Sequence, residues 1–403
     1  MKPLLDGKAL AKALSTPPGP WMKDALDVVM AWQLRNPTKS DPKDAIEEVK
    51  NMNMHGELTA HLITHFLRLT IRPLFAKTQH PAVTPQGRKV TTTVLPPRFE
   101  AAEAGEIAKP WKGRESHALD LLRWVLSNLD EAAVEQNWTL LIPPILSITD
   151  DSDTRFKAMG CEFISLLLAK TSSALLARTG LGEVFEDALM PCLGYLPTLT
   201  PEGESIALLS AAYPALISLS RAIDTKPLFN QTRNPLDELT SPRLRLLDTL
   251  IRKGILATYA HCSENVRIID TSFQHLCSIN NELGIDSVKH LKYVLPMLSE
   301  VLGHPLGHAY PPLLFSATKA LQSVILNGWP RMAYSRGEVL KGLTLCWLHV
   351  HDEHSEEMDM LKQELRNSVL MLKDAVGLEQ DIKPDFAALI AAGGRLEELL
   401  RLD

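Results

Sequence analysis

Apolar positions along this chain recur at three- and four-residue spacing, and no stretch alternates apolar and polar residues over the length of a strand. The pattern therefore predicts helices throughout. Gly19-Pro20 opens the first clear one, with proline suited to a first helical turn. Trp21, Ala25, Val28, Val29 and Trp32 then fall on one face, and Asn36-Pro37 stops it. Asp41-Pro42 repeats the start signal before "KDAIEEVK". Leu58, Leu62, Phe66 and Leu69 predict an apolar stripe ending near Pro73. Residues 76–115 are rich in proline, threonine and charge and read as one long loop.

Beyond Trp111 the chain becomes a succession of apolar helices. Its clearest unit runs from Leu140 to Lys170. One helix ends near Ile148, an acidic turn covers Asp150 to Asp153, and Arg155 opens a second helix with Phe156, Met159, Phe163, Leu166 and Leu167 apolar. Two antiparallel helices joined by an aspartate-rich turn are the grammar of a HEAT-type repeat. Pro144, Pro191 and Pro296 each sit within an apolar helix that a second helix follows, and proline there kinks the first. The predicted architecture is all-α. A HEAT-like solenoid, an α-α superhelix, occupies about residues 57–403, and a short helical appendage covers 1–51.

Composition supports this and narrows function. With 403 residues, 45% hydrophobic and 22% charged, the chain can bury a sizeable core. Its net charge of −6 argues against a long contact with a phosphate backbone. Cys161, Cys192, Cys262, Cys277 and Cys346 show no CxxC spacing, which points to reduced thiols. Asn137 and Asn230 match glycosylation sequons of the kind that arise by chance. Apolar runs such as "LLSAAYPALISLS" are short or contain proline, so no membrane span is expected, and cytoplasm and nucleus are the expected locations.

Tests for chemistry return little. His61 and His65 stand four apart as in a zincin helix, but Leu62 occupies the position of the catalytic glutamate. Cys346, His349, His351 and His354, with Asp352 and Glu353, gather metal-ligand types at what reads as the solvated end of a helix. Gly180 and Gly182 begin a dinucleotide-like pattern that Phe185 breaks, and the segment reads as a turn between helices. Asp150, Asp151 and Asp153 read as caps of the helix that follows. No catalytic, cofactor or metal residue is assigned, and no cofactor is expected. The most distinctive stretch is "KPWKGRESHALDLLRWVL", Lys109 to Leu126. Lys109, Trp111, Arg114 and Trp124 are its candidate partner-binding residues. A second reading stays open, in which Trp111 caps the apolar end of the array.

Two resemblances follow from these segments. "PLLDGKALAKAL", "PPGPWMKDALDVVMAWQLRNP" and "DAIEEVK" resemble the C-terminal tail of fungal CCA-adding tRNA nucleotidyltransferases. That resemblance implies a tRNA-holding role. The metal-binding carboxylates of that family's catalytic head have no counterpart in these residues. From about residue 57 onward, "IRPLFAKTQHPAVTPQGRKV", "LPPRFE", "KPWKGRESHALDLLRWVL" and "VEQNWTLLIPPILSITDDSDTRFKAMGCEFISLLL" resemble the Tel-two-interacting protein two family. This implies a non-catalytic HEAT-type scaffold of the TTT cochaperone complex. Its implied partners are the larger HEAT-repeat subunits of that complex, the ninety-kilodalton heat-shock chaperone and kinases related to phosphatidylinositol 3-kinase. The alternative is a tRNA-processing protein, with weak tRNA contact by residues 1–51. The change of style between Met52 and Glu57 is what a fusion of two neighbouring genes would produce.

Overall fold

The computed structural model describes residues 5–14, 21–36, 41–76, 80–90, 109–223, 241–377 and 380–401. The Pro18-Gly19-Pro20 start, the Trp21 side chain, the Leu58 side chain, the Asn230 sequon and residues 91–108 lie outside what is described. The described residues are helical, with a single isolated β-bridge between Val83 and Lys89. The chain divides into two compact units. One comprises Met1–Lys77 with Ile107–Leu129, and the other Thr78–Glu106 with Asp130–Asp403.

In the smaller unit, α1 (Gly7–Leu14), α2 (Trp21–Arg35) and the start of α3 (Pro42–His65) enclose a small core of Leu10, Ala25, Val29, Trp32, Ala45 and Val49. Asp41 caps α3 by accepting the Lys43 N–H at 2.9 Å, as the Asp-Pro signal predicts. The backbone then runs as unbroken helix through Met52 to Glu57. Past His65 α3 is continued by a π-turn, Phe66–Ile71, and by Arg72–Phe75, and the label α3 covers all three segments from here on. This corrects the predicted stripe. Ile63, Leu67, Ile71 and Phe75 are buried, whereas Leu69 is 66% exposed. An α-helix drifts by roughly 40° for every four residues, and the wider turn absorbs that drift. A strict four-residue spacing therefore keeps facing the core. Proline at position 73, which lacks an N–H and crowds the preceding turn, lies at the end of the widened segment without terminating the helix there. α4 (His117–Asn128) packs on this end of α3, burying Leu119, Leu122, Val125 and Leu126.

The larger unit is an α-solenoid. Its helices are α5 (Glu131–Thr149), α6 (Thr154–Leu168), α7 (Ser173–Thr179), α8 (Leu181–Leu189), α9 (Glu202–Ala222), α10 (Pro242–Thr249, continued by a π-turn Leu250–Leu256 and Ala257–Cys262) and α11 (Val266–Leu283). They are followed by α12 (Leu291–Leu302), α13 (Pro311–Asn327), α14 (Met332–Val350), α15 (Glu356–Gly377), α16 (Lys383–Ala392) and α17 (Glu397–Leu400). Helices α6, α9, α11, α13 and α15 stack consecutively, and each is backed by the helix before it in its pair: α5, α8, α10, α12 or α14. Neighbours in the stacked row are also joined by polar bonds. Asn280 donates to Ser323 Oγ at 3.1 Å, Asn327 to Asn281 Oδ1 at 3.0 Å, and Gln322 to Ser368 Oγ at 3.1 Å.

The unit read most clearly from sequence ends close to its expected bound, but its first helix begins at Glu131, well before Leu140. Asp130 caps α5, and Asp153 caps α6 by accepting the Arg155 N–H at 2.9 Å. Asp151, fully buried, accepts the Asp153 N–H at 2.8 Å and shapes the turn. Phe163 and Leu167 are buried as predicted, but the face that packs inward also contains Gly160, Cys161 and Ile164, leaving Phe156 and Met159 half-exposed. Pro144 and Pro296 lie inside α5 and α12. Pro191 does not lie inside an α-helix: α8 ends at Leu189 and Pro191 sits in a 3-10 turn, Met190–Gly194. Proline has no N–H to continue the α-helical ladder, so α8 gives way to the 3-10 turn there although Met190 keeps helical backbone. Gly180, at φ +69°, ends α7 and leads directly into α8, so the expected turn shrinks to one residue and Gly182 is helical.

The predicted loop over 76–115 is not featureless where described. Gly87 takes a positive φ of 68°, and its carbonyl accepts Trp138 Nε1–H at 2.9 Å. Lys89 donates its backbone N–H to Thr179 at 2.9 Å and its ammonium pairs with Glu183. One helix, Glu202–Ala222, is long and apolar enough to cross a membrane by length and composition, Pro214 notwithstanding. It is two-thirds buried between α6 and α11, the position of a core helix.

Glu282 on α11 joins three elements. It accepts hydrogen bonds from Arg221 on α9 at 2.6 Å and from Arg243 on α10 at 2.8 Å. Burial pushes its carboxyl up, but the two guanidiniums outweigh that and hold it below the usual range. The folded pKa therefore lies under the unfolded one. Its stabilisation is present at neutral pH and fades as pH falls through the folded value. Glu282→Gln is expected to cost on the order of 1 kcal/mol near pH 7 and less near pH 3, where more of the parent carboxyl is protonated. Melting curves of both proteins at the two pH values check this.

Candidate protein-binding surface

The segment singled out in the sequence lies wholly within the smaller unit. Pro110–Lys112 form a 3-10 turn that leads Trp111 inward, fully buried, with its ring stacked on Phe75 at 5.5 Å between centroids and 18° between planes. The Lys109 ammonium sits 6.0 Å from the Trp111 ring centroid, a cation–π distance. Of the four candidates, Trp111 therefore presents no ring surface to a partner in this conformation. It locks the 109–112 turn to the end of α3. Arg114 is exposed. Trp124 on α4 is half-buried, meeting Phe66 edge-on at 5.7 Å. Sequence placed these four residues together as one patch. The structure divides them into a buried ring, its cationic neighbour, an exposed guanidinium and a half-covered indole.

The histidine pair of α3 is exposed, its rings 6.3 Å apart. Arg68, Leu69 and Arg72 are exposed on the same helix, outside the face that buries Ile63, Leu67, Ile71 and Phe75. The apolar-stripe reading hid this face, because it placed Leu69 inside. The signal that could have found it is the His-His-Arg-Arg set at positions 61, 65, 68 and 72, which matches helical spacing.

The other clusters serve packing. Cys346 is fully buried, and burial pushes its thiol up to about 12, so it is protonated at neutral pH. His351 Nδ1 lies 3.0 Å from Asp352 Oδ1, and Arg395 donates to Asp352 at 2.8 Å. These contacts hold the exposed Asp352 carboxyl below the usual range. Arg366 pairs with Glu398 and lies 5.2 Å from the Trp347 ring, whose Nε1–H donates to Arg395 O at 2.9 Å. The cluster thus clamps the last helices to α14 and α15. Arg336 donates to Asp385 at 2.6 Å across a cleft of about 550 Å³ beside Tyr334 and Leu389, which ties α16 to α14. Among the described residues, no group of three or more His, Cys, Asp or Glu side chains is arranged to hold a metal ion. Asp150, the first of the acidic-turn residues, pairs with His80 at 2.9 Å.

A family model, the Tti2 family, matches residues 30–309, well over half of the chain. The chain belongs to the Tti2 family. The match begins inside α2, upstream of the change of style at Met52 to Glu57. TELO2-interacting protein 2 of Homo sapiens is 23% identical over 294 residues, covering 66% of this chain and 54% of its own length. The chain thus spans about half of that relative. Nucleotidyltransferase lcsQ of Purpureocillium lilacinum is 66% identical over 50 residues, which is 12% of this chain and 8% of that protein. No solved structure matches.

Proposed function

We propose that this chain is a non-catalytic scaffold subunit of the TTT cochaperone complex, present in cytoplasm and nucleus. In that role it contributes to the maturation and stability of kinases related to phosphatidylinositol 3-kinase. The observation that carries the reading is membership of the Tti2 family, on a chain whose larger unit is a continuous array of helix pairs. Physics supports the same direction. Stacked pairs bury one apolar core and leave long exposed faces, the architecture of HEAT-type adaptors, and such faces engage other proteins over many weak contacts. The partners on this reading are the larger HEAT-repeat subunits of the complex and, through them, the ninety-kilodalton chaperone and its kinase clients.

The test is co-expression of the tagged full chain with the other TTT subunits, followed by affinity purification and gel filtration. Co-elution as one stoichiometric complex is the expected result. Separate elution at micromolar concentrations of each would overturn it.

A second reading draws on the 66% identity to a nucleotidyltransferase over 50 residues. In it the leading helices hold tRNA. Retention of tRNA with an affinity falling steeply between 50 and 200 mM salt would favour it. The net charge of −6 weighs the other way.

A further inference from the structure

The exposed face of α3 has a chemistry that the packing of the smaller unit does not use. Ile63, Leu67, Ile71 and Phe75 hold the inner face at strict four-residue spacing, which the π-turn Phe66–Ile71 permits. The same turn keeps the exposed face aligned. At that spacing His61, His65 and Leu69 form one row and Arg68 and Arg72 the row beside it, all exposed and together about 16 Å long at 1.5 Å per residue. Among the described residues, neither Arg68 nor Arg72 has an ion-pair or hydrogen-bonding partner. Leu69, 66% exposed, sits between them. Two unpaired guanidiniums around a bare leucine stand out on a chain whose net charge is −6.

We propose that this face of α3 docks an acidic amphipathic helix of a partner protein. Charge complementarity sets the sign: Arg68 and Arg72 present planar forks that match carboxylates two bonds at a time. Leu69 sets the class. A phosphate backbone offers nothing apolar for a leucine to bury against, whereas a helix with carboxylates flanking its own leucine covers all three side chains together. His61 and His65 extend the row of Leu69 by about two turns and add ring donors. The inference does not depend on the complex named above, because its test needs no other subunit.

The probe is a fluorescein-labelled synthetic helix of about four turns, with glutamates around a single leucine stripe, titrated into the full chain and read by fluorescence anisotropy. Arg68→Glu with Arg72→Glu is expected to weaken binding by tenfold or more, and Leu69→Ser by roughly threefold. Arg68→Lys with Arg72→Lys should retain most of the affinity. All these side chains are exposed, so the variants should melt with the parent. If the double reversal does not, the single alanine variants at Arg68 and Arg72 take its place. Three results overturn the proposal: no measurable binding by the parent, equal binding by parent and reversed variant, or equal binding of a glutamate peptide without leucine. Tighter binding of tRNA that the same reversal abolishes also overturns it, and makes the face a nucleic-acid contact.

Discussion

Gly160→Ala is expected to destabilise the larger unit by about 2–3 kcal/mol, lowering its melting temperature by about 5–10 °C. The reason lies where α5 and α6 cross. A Cβ built on Gly160 would stand 2.4 Å from Thr149 Oγ1, 2.5 Å from its Cα and 2.6 Å from its N. Two of those atoms are backbone, so no rotamer change relieves the contact and the helices must separate. Separation disturbs more than packing. Lys157, 8% exposed, donates its ammonium to Thr149 O at 2.8 Å and lies 5.6 Å from the Tyr195 ring, so it neutralises the carbonyl end of α5 from a nearly dry position. Moving α5 away weakens that bond and leaves a charge without its partner. Gly337→Ala is the matched control. Gly337 lies inside α14 with open space around its Cβ position, and alanine there is expected to stabilise by about 0.5–1 kcal/mol. Thermal unfolding of both variants decides the matter: opposite signs support the close crossing, and equal signs reduce it to helix propensity.

The α5–α6 pair was legible because every signal needed to read it is local. Asp153 is a cap, the acidic turn separates two periodic runs, and Phe163 and Leu167 follow from spacing alone. The features that escaped depend on residues far apart in sequence. Gly160 looks like a weak helix position until Thr149 is placed against it. The 80–90 turn looks like loop until Trp138 and Thr179 supply a donor and an acceptor. The stripe on α3 failed for a different reason. The expected stripe takes a 3.6-residue period, but a π-turn gives the local helix a period near four, so Leu69 emerges and Ile71 and Phe75 go in. The cationic face was hidden by that same expectation. Pro191 shows the limit of motif repetition: three prolines share an apolar context, yet only Pro144 and Pro296 lie within an α-helix.

Trp111→Ala is expected to have the largest effect of any single change in the smaller unit, about 3–5 kcal/mol. The indole is fully buried and stacks on Phe75, the last apolar residue of the inner face of α3. Its removal leaves a void beside Phe75 and frees the Lys109 to Lys112 turn that leads into α4. Amide hydrogen exchange should then show lost protection at Ile63, Leu67 and Ile71, while Trp111→Phe, which keeps a stacking ring, should lose far less. Trp124→Ala gives the contrast. Its indole is half-exposed and touches Phe66 edge-on, so truncation should cost only about 1–2 kcal/mol. The pair of variants separates the two readings of the distinctive stretch. If Trp111 is a core residue, its alanine variant loses partner binding only in step with lost protection, and Trp124→Ala weakens binding with the helices intact. If Trp111→Ala keeps its protection and still loses the partner, the ring leaves its place on Phe75 to bind, and the stacked arrangement is only the resting form of a partner anchor.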